Sequence, residues 1–384
     1  MFKGGTHFGI LNKMSKKKQY NRIKLEINLS HLKHNFYQIK QQFSNQKILC
    51  VVKNNAYGHG VKELAKVLHE ADFFGVADIS AAVSLRNQNI KTPLVVMGGI
   101  WDDLDFEYGV KNNISFILYE KYQVDIIEKF EKRTNLPYDI WLKIDTGMNR
   151  LGIQMTEAKN VIENISSFTN LASITIMTHF ANADNLNEKA MLKQLKNWDS
   201  ILVEIKKSDK STLITCANSS MLLNYPKITE DIIRPGLMLY GVYPETKNAI
   251  NNPFNLKPVM TLKSNIISIK RVKKGESVGY GSRWVASKDS IIAIIPIGYG
   301  DGYYRYAKDG TPVLIKGQRA YLAGRVSMNM IGVDVTHLKK IKIGDESTLW
   351  GEGLRIEEIE QMNGASSYDM LISAGSKAEA TYIK

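Results

Sequence analysis

The stretch Lys47-Ile48-Leu49-Cys50-Val51-Val52-Lys53-Asn54-Asn55-Ala56-Tyr57-Gly58-His59-Gly60 decides how this chain folds. From Ile48 to Val52 it is unbroken apolar sequence, the pattern of a strand buried on both faces of a parallel sheet. A Gly-rich turn follows, and beyond it Val61, Leu64, Ala65 and Leu68 share one helical face. The unit reads strand, turn, helix, with Lys53 delivered at the C-terminal end of the strand. In a barrel of such units that end is the catalytic face. A lysine there can form an imine with an aldehyde, or act as a base once burial lowers its pKa. Taken alone, a lysine at a strand end is more often a surface residue.

Working outward, further strand candidates begin near Phe73, Pro93, Ile114, Tyr138, Ile174, Leu213 and Leu237, giving eight with the first. Amphipathic segments separate them: Leu32, Phe36 and Ile39 before the first strand, with Ser30 a candidate cap, and Met191, Leu195, Trp198, Leu202 and Ile205 further on. Eight such repeats predict an α/β fold with an N-terminal (β/α)8 TIM-like barrel; a doubly wound open sheet is the rival arrangement. Tyr243 to Pro258, rich in Asn and Pro, reads as a linker. After it, Met260–Val272, Ser290–Ile297, Pro312–Ile315, Ala320–Val326 and Met330–Val335 are short apolar runs between Gly, Lys and Asp turns, predicting a second, mainly β domain. The expected division is a basic extension over 1–22, the barrel over 23–246 and the β domain over 247–384.

The 384 residues are 44% hydrophobic and 23% charged, which suits an ordinary globular chain and argues against long disorder. The net charge of +13 permits a nucleic-acid, membrane-surface or anionic partner. Part of the excess lies in Lys3, Lys13, Lys16, Lys17, Lys18, Arg22 and Lys24, which read as a solvated basic tail with no nucleic-acid motif beside it. No apolar run approaches the ~18 residues of a membrane span, and no export signal is evident. Cys50 and Cys216 are too few for a disulfide framework, so a reducing cytoplasm is the expected context. The phosphate loop GxxxxGK[ST], HExxH, CxxC and GxSxG are all missing. His31 and His34 read as a surface pair, and no metal site is expected.

Several other segments carry chemistry-bearing residues at strand ends or turns. Lys143-Ile144-Asp145-Thr146-Gly147-Met148-Asn149-Arg150 ends a predicted strand, and an arginine fork there suits a carboxylate. Met177 to Asp184 contains His179. Ala217-Asn218-Ser219-Ser220 and Arg234-Pro235-Gly236-Leu237 fall where barrels commonly hold a phosphate on small residues and backbone N–H groups. Ser277 to Arg283, Gly298 to Arg305 and Gly324 to Asn329 follow in the second domain. Singly, each reads equally well as a turn.

In order and spacing, these segments resemble alanine racemases, a fold-type III pyridoxal 5'-phosphate (PLP) family, from about Lys24 to Tyr382. The resemblance implies a PLP-dependent racemase that interconverts L- and D-alanine by two bases and supplies D-alanine for peptidoglycan. It assigns Lys53 as the PLP lysine and one base, and Tyr280 of a partner subunit as the other, so it implies a homodimer with shared sites. A phenol ionises near ~10, so a phenolic base needs positive charge in its network, and His179 and Arg234 are the groups for that. Tyr57, Asn218, Ser219, the N–H groups of Gly236 and Leu237, and Tyr368 would hold the cofactor, with His179. Arg234 would face the pyridine nitrogen and donate to it without yielding a proton, which weakens the electron sink and discourages transamination.

By the same resemblance, Arg150 and the partner's backbone at Met328 bind the substrate carboxylate. Lys143 sits at a position carbamylated in many members. Asp184, Tyr299, Arg305 and Arg325 line the entrance. The chain departs from the family pattern at Asn54, Thr215, Asn329 and Lys377-Ala378-Glu379-Ala380. The last two bear on entrance charge and substrate range. A serine, lysine or broad-specificity racemase is therefore the first alternative, and a non-catalytic PLP-carrier protein is a more remote one. A decarboxylase and a nucleic-acid binder carry less weight.

Overall fold

A computed structural model of the chain describes residues 22–184, 189–205, 212–244 and 254–384. All of the expected basic extension except Arg22 lies outside these residues, as do positions 245–253 of the expected linker. The chain forms two compact units. One comprises Ile27–Met260, Arg355–Ser376 and Tyr382–Lys384; the other comprises Thr261–Leu354, Lys377–Thr381 and the stretch ending at Glu26.

The first unit is built on parallel strands Lys47–Val51, Phe73–Val76, Leu94–Val96, Ile114–Leu118, Tyr138–Asp145, Leu171–Met177, Thr212–Thr215 and Ile232–Ile233. Neighbours in sequence are neighbours in the sheet, and Ile232–Ile233 returns to pair with Lys47–Val51. Register is set by apolar pairs such as Leu49 with Phe73 and Phe116 with Ile140. The remaining seam is closed by side chains and a bridge. Asp231 Oδ2 accepts from Ile214 N at 2.8 Å, Thr215 Oγ1 donates to Ile232 O at 2.6 Å, and Asn218 bridges Arg234. This nearly closed barrel matches the expected fold class, and excludes the open-sheet rival.

Three local expectations change. The eighth strand is Ile232–Ile233, whereas Leu237–Tyr240 forms a 3-10 turn. The apolar run at Leu237 is buried because it packs against helix Leu29–Gln42, not because it is extended. The helix Leu29–Gln42 is capped by Asn28, whose side chain accepts from His31 N at 2.9 Å; Ser30 Oγ instead donates to that same oxygen at 2.8 Å. On helix Lys189–Ile205 the buried stripe is Met191, Gln194, Trp198, Ile201 and Ile205. A glutamine enters it because its amide is satisfied: Oε1 accepts from Ala181 N at 2.9 Å, and Nε2 donates to Thr146 Oγ1 at 3.2 Å.

The second unit is mainly β. Its sheet contains Ser268–Val272, Ser290–Ile295, Ile331–Asp334, Gln318–Leu322, Pro312–Ile315, Glu346–Trp350 and Met260–Asn265 in spatial order. The assigned pairings are antiparallel. Ile292, Ala293, Ile295, Val333 and Leu322 are buried along its strands. A separate two-stranded hairpin, Ser277–Val278 with Trp284–Val285, carries Tyr280 at its tip.

Candidate active site

Lys53 stands two residues past the end of its strand, after Val52, and the chain then turns the wrong way. Asn54, Asn55, Ala56 and Tyr57 all have φ between 51° and 54°, one turn of left-handed helix, before Gly58 at φ 81°. Left-handed backbone costs an L-residue about 1–2 kcal/mol, least for Asn. The Asn54-Asn55 pair therefore suits two of the four positions. Ala56 N→Val52 O (2.8 Å) and Gly58 N→Asn54 O (3.0 Å) close the turn. The outcome is that Lys53 and Tyr57 both border one cleft.

That cleft, about 270 Å³, opens at the C-terminal ends of the barrel strands and is walled by Val51, Lys53, Tyr57, Met97, Arg150, His179, Asn218, Ser219, Ser220, Arg234, Gly236 and Tyr368. Its size is near the low end of ligand clefts, roughly 300–1,000 Å³. Arg150 is presented by a turn shaped by Asp145, whose Oδ1 accepts from Gly147 N at 2.9 Å and Asn149 N at 3.1 Å. Asn218 caps the short helix Ser219–Asn224, accepting from Met221 N at 3.0 Å. Ser219 Oγ accepts from Gly236 N at 2.9 Å, which pins the hydroxyl beside the glycine on the cleft wall. A Cβ at Gly236 would come within 2.9 Å of Tyr57 Oη, so only glycine leaves that corner open. Tyr57 lies 5.5 Å, ring to ring, from Tyr368.

Arg234 is buried and held rigidly. Nη1 donates to Thr215 Oγ1 at 2.7 Å, and Nη2 donates to Thr178 O at 2.9 Å and Cys216 O at 3.3 Å. His179 Nδ1 is 3.5 Å from the same Nη2. Behind it, Thr178 Oγ1 donates to Ile144 O at 3.0 Å and meets Thr146 Oγ1 at 2.8 Å, continuing to Gln194. Thr215 thus supplies a hydroxyl acceptor to the arginine.

The wall contains no acidic side chain, while cations converge on it. Burial, then Arg150, lower the pKa of Lys53. Lys143, on the strand Tyr138–Asp145 and 8% exposed, is pushed down to about 8 by burial and then by Arg150 and Arg234. His179 falls to about 3, through burial first and Arg234 next, and is neutral, so it does not carry the positive charge expected of it and that part falls to Arg234. Arg234 is lowered to about 10 by burial and stays a cation at neutral pH. A concave site with uncompensated positive charge favours an anionic ligand. Among the described residues no cluster of three or more His, Cys, Asp or Glu side chains is placed to hold a metal.

The remaining expected residues lie elsewhere. Leu237 follows Gly236 and is buried; Asp184 is exposed and influences Tyr368. Tyr280, Tyr299, Arg305, Arg325 and Met328 belong to the second unit and line a different cleft of about 620 Å³, with Arg283 and Tyr306. Tyr280 is 72% exposed and Met328 58%, so neither is enclosed by its own chain. Arg305 lies 4.9 Å from the Tyr299 ring centre. Asn329 donates to both oxygens of Asp301 at 3.2 Å, and Lys377 Nζ donates to Tyr299 O at 3.0 Å, so both departures engage the cleft's supporting loop.

Met97 is the residue of the first wall that is neither named from the sequence nor in any of the segments picked out from it. Met97 was findable, since it directly follows the strand Leu94–Val96. How Arg283 ties the Tyr280 hairpin to Asp309 at 2.9 and 3.0 Å was not legible in the sequence either.

The chain is similar to known proteins along most of its length. Residues 27–244 match the family described as "Alanine racemase, N-terminal domain", and residues 259–382 match "Alanine racemase, C-terminal domain". An alanine racemase of Coxiella burnetii is 39% identical over 358 residues, covering 91% of this chain and 96% of that protein. The biosynthetic alanine racemase structure from Pseudomonas aeruginosa superposes with a TM-score of 0.88 at 32% identity, covering 94% of this chain and 99% of that one. An alanine racemase structure from Bartonella henselae with covalently bound pyridoxal phosphate gives 0.84 at 25% identity, covering 94% and 99%. Over both of its units, this chain belongs to the alanine racemase family.

Proposed function

We propose that the protein is a PLP-dependent racemase that interconverts L- and D-alanine, works as a homodimer in the cytoplasm and supplies D-alanine for peptidoglycan. The observation that carries this reading is the first cleft. It combines a lysine amine of lowered pKa, a buried arginine and a cradle of hydroxyls and glycine, with no acid on the wall. That donor set fits PLP. Lys53 suits its aldehyde. Tyr57, Asn218, Ser219, Tyr368 and the N–H groups at Gly236 and Leu237 suit its phosphate. Arg234 suits its pyridine nitrogen, beside His179. Bound PLP would supply an electron-withdrawing ring that stabilises negative charge at the substrate α-carbon.

The chain's own residues then divide the work. Arg150 grips the substrate carboxylate, helped by the backbone N–H of Met328 from a second copy. Lys53, its proton affinity reduced by burial and by Arg150, moves a proton at one face of the α-carbon. Tyr280 of the second copy moves a proton at the other face. Inversion requires a base on each side. The exposure of Tyr280 on its own chain supports this borrowing. Arg234 keeps its protons while donating, so it orients the cofactor without feeding a proton to it. Lys143, a half-neutral buried amine near pH 8, is placed to take up CO2 as a carbamate with loss of a proton, which would convert repulsion from Arg150 into attraction. Asp184, Tyr299, Arg305 and Arg325 guard the entrance.

The test is chiral product analysis of PLP-loaded protein with alanine, serine and lysine, comparing kcat/KM. Racemisation of alanine is expected to dominate, and to vanish in Lys53→Ala and Tyr280→Phe. Loading with PLP but no racemisation of any amino acid would favour the carrier reading. A higher kcat/KM for serine or lysine would reassign the substrate.

A further inference from the structure

One buried titratable side chain has no part in the chemistry above. His59 is fully buried, two residues beyond the left-handed turn. Its Nδ1 lies 2.9 Å from Ala56 O and 3.0 Å from Tyr57 O. Both partners are carbonyl oxygens, which only accept, so Nδ1 carries the proton and donates to both. Nε2 is buried without a hydrogen-bond partner, so it bears a bare lone pair and the ring is neutral. An apolar side chain would fill this space without leaving an orphaned nitrogen. The use of a histidine here is therefore its Nδ1–H.

The ring also begins a stack leading to the cleft. It lies 4.5 Å from the Tyr240 ring at 25°, and Tyr240 lies 4.9 Å from Tyr57. Tyr240 is itself fixed, donating its hydroxyl to Val51 O at 2.8 Å. Four consecutive left-handed residues persist only where surrounding groups over-determine them. His59 ties two of their carbonyls from inside and braces the aromatic ring that backs Tyr57.

We propose that His59 is a positioning residue for the phosphate grip of the site: it clamps the left-handed turn so that the Tyr57 hydroxyl stays beside Gly236. The proposal rests on the PLP reading above, and it makes a distinction that general stability does not. A clamp acting through Tyr57 matters for a cofactor with a phosphate and not for one without it.

The experiment is equilibrium dialysis of the full-length chain loaded with PLP or with pyridoxal, which lacks the phosphate. His59→Phe keeps an aromatic ring for the stack and removes both nitrogens. It is expected to raise the dissociation constant for PLP about tenfold, the worth of one or two net hydrogen bonds, and to leave that for pyridoxal within about twofold. His59→Asn, whose amide N–H takes the place of Nδ1–H, is expected to restore PLP binding. Tyr57→Phe should weaken PLP binding by itself, and His59→Phe added to it should cost no more. Equal weakening for both cofactors, no weakening, or full additivity with Tyr57→Phe would overturn the proposal. Should His59→Phe not fold, His59→Leu, which fills the space and offers no N–H, serves in its place with the same expectations. A wild-type chain that holds neither cofactor would instead overturn the PLP reading, and this proposal with it.

Discussion

Lys143 offers the sharpest quantitative test of the site's electrostatics. Its amine is lowered from 10.5 to about 8, chiefly by burial and then by Arg150 and Arg234. Below pH 8 the folded and unfolded chains both carry the proton, and the folded chain bears the full penalty of a buried cation. Between 8 and 10.5 the folded chain has released the proton while the unfolded chain keeps it, so stability rises with pH. Above 10.5 both are neutral and the contribution is gone. A separation of 10.5 − 8 = 2.5 pH units corresponds to at most about 3 kcal/mol. Lys143→Met removes the penalty. In carbonate-free buffer, urea denaturation should find it more stable than wild type by up to about 3 kcal/mol at pH 7, with the difference shrinking from pH 8 to 10.5. Bicarbonate should stabilise wild type alone, because a carbamate places an anion beside two guanidinium groups, and ¹³C-labelled bicarbonate should give a carbamate resonance absent from the variant. A pH-independent stability difference, or an equal bicarbonate effect on both proteins, would refute the reasoning.

Other residues allow shorter tests. Gly236→Ala places a methyl 2.9 Å from Tyr57 Oη, and should weaken PLP more than pyridoxal in the dialysis assay. Thr215→Val leaves the buried Arg234 Nη1 without its 2.7 Å acceptor; urea denaturation should show a loss of about 1–3 kcal/mol. In the cofactor-free chain His179 (about 3) and His59 (about 4) are both depressed from 6.5, so the folded state binds fewer protons. Stability should therefore fall as pH drops from 6.5 towards 3, and His179→Gln should flatten that slope. Asp309→Asn loosens Arg283 beneath the Tyr280 hairpin, and hydrogen exchange should accelerate between Ser277 and Val285.

Much of this molecule was legible in its residues, for identifiable reasons. Most barrel strands are largely apolar runs, and Lys53 and Arg234 sit just after strand ends, at the end of the sheet where the cleft opens. The eighth strand was misplaced because Ile232–Ile233 is only two residues long and part of its seam is closed by Asp231 and Thr215 side chains, which leave no periodic signal. Gln194 was passed over for Leu195 because its burial depends on three long-range partners. The left-handed turn reads from sequence only as a turn, although Asn54-Asn55 is its trace. Tyr368 reaches the cleft because Arg355–Ser376 folds back onto the barrel unit, and no local pattern announces that return.

The proposed mechanism needs two copies of the chain to share each site, one giving Lys53 and the other Tyr280. Mixing inactive Lys53→Ala and Tyr280→Phe proteins under conditions that let subunits exchange tests it most directly. Random pairing makes about half the dimers mixed, each with one intact site and one doubly defective site, so alanine racemisation should recover to about a quarter of wild type. If Lys53 and Tyr280 served a site within one chain, no intact site would form and the mixture would stay inactive.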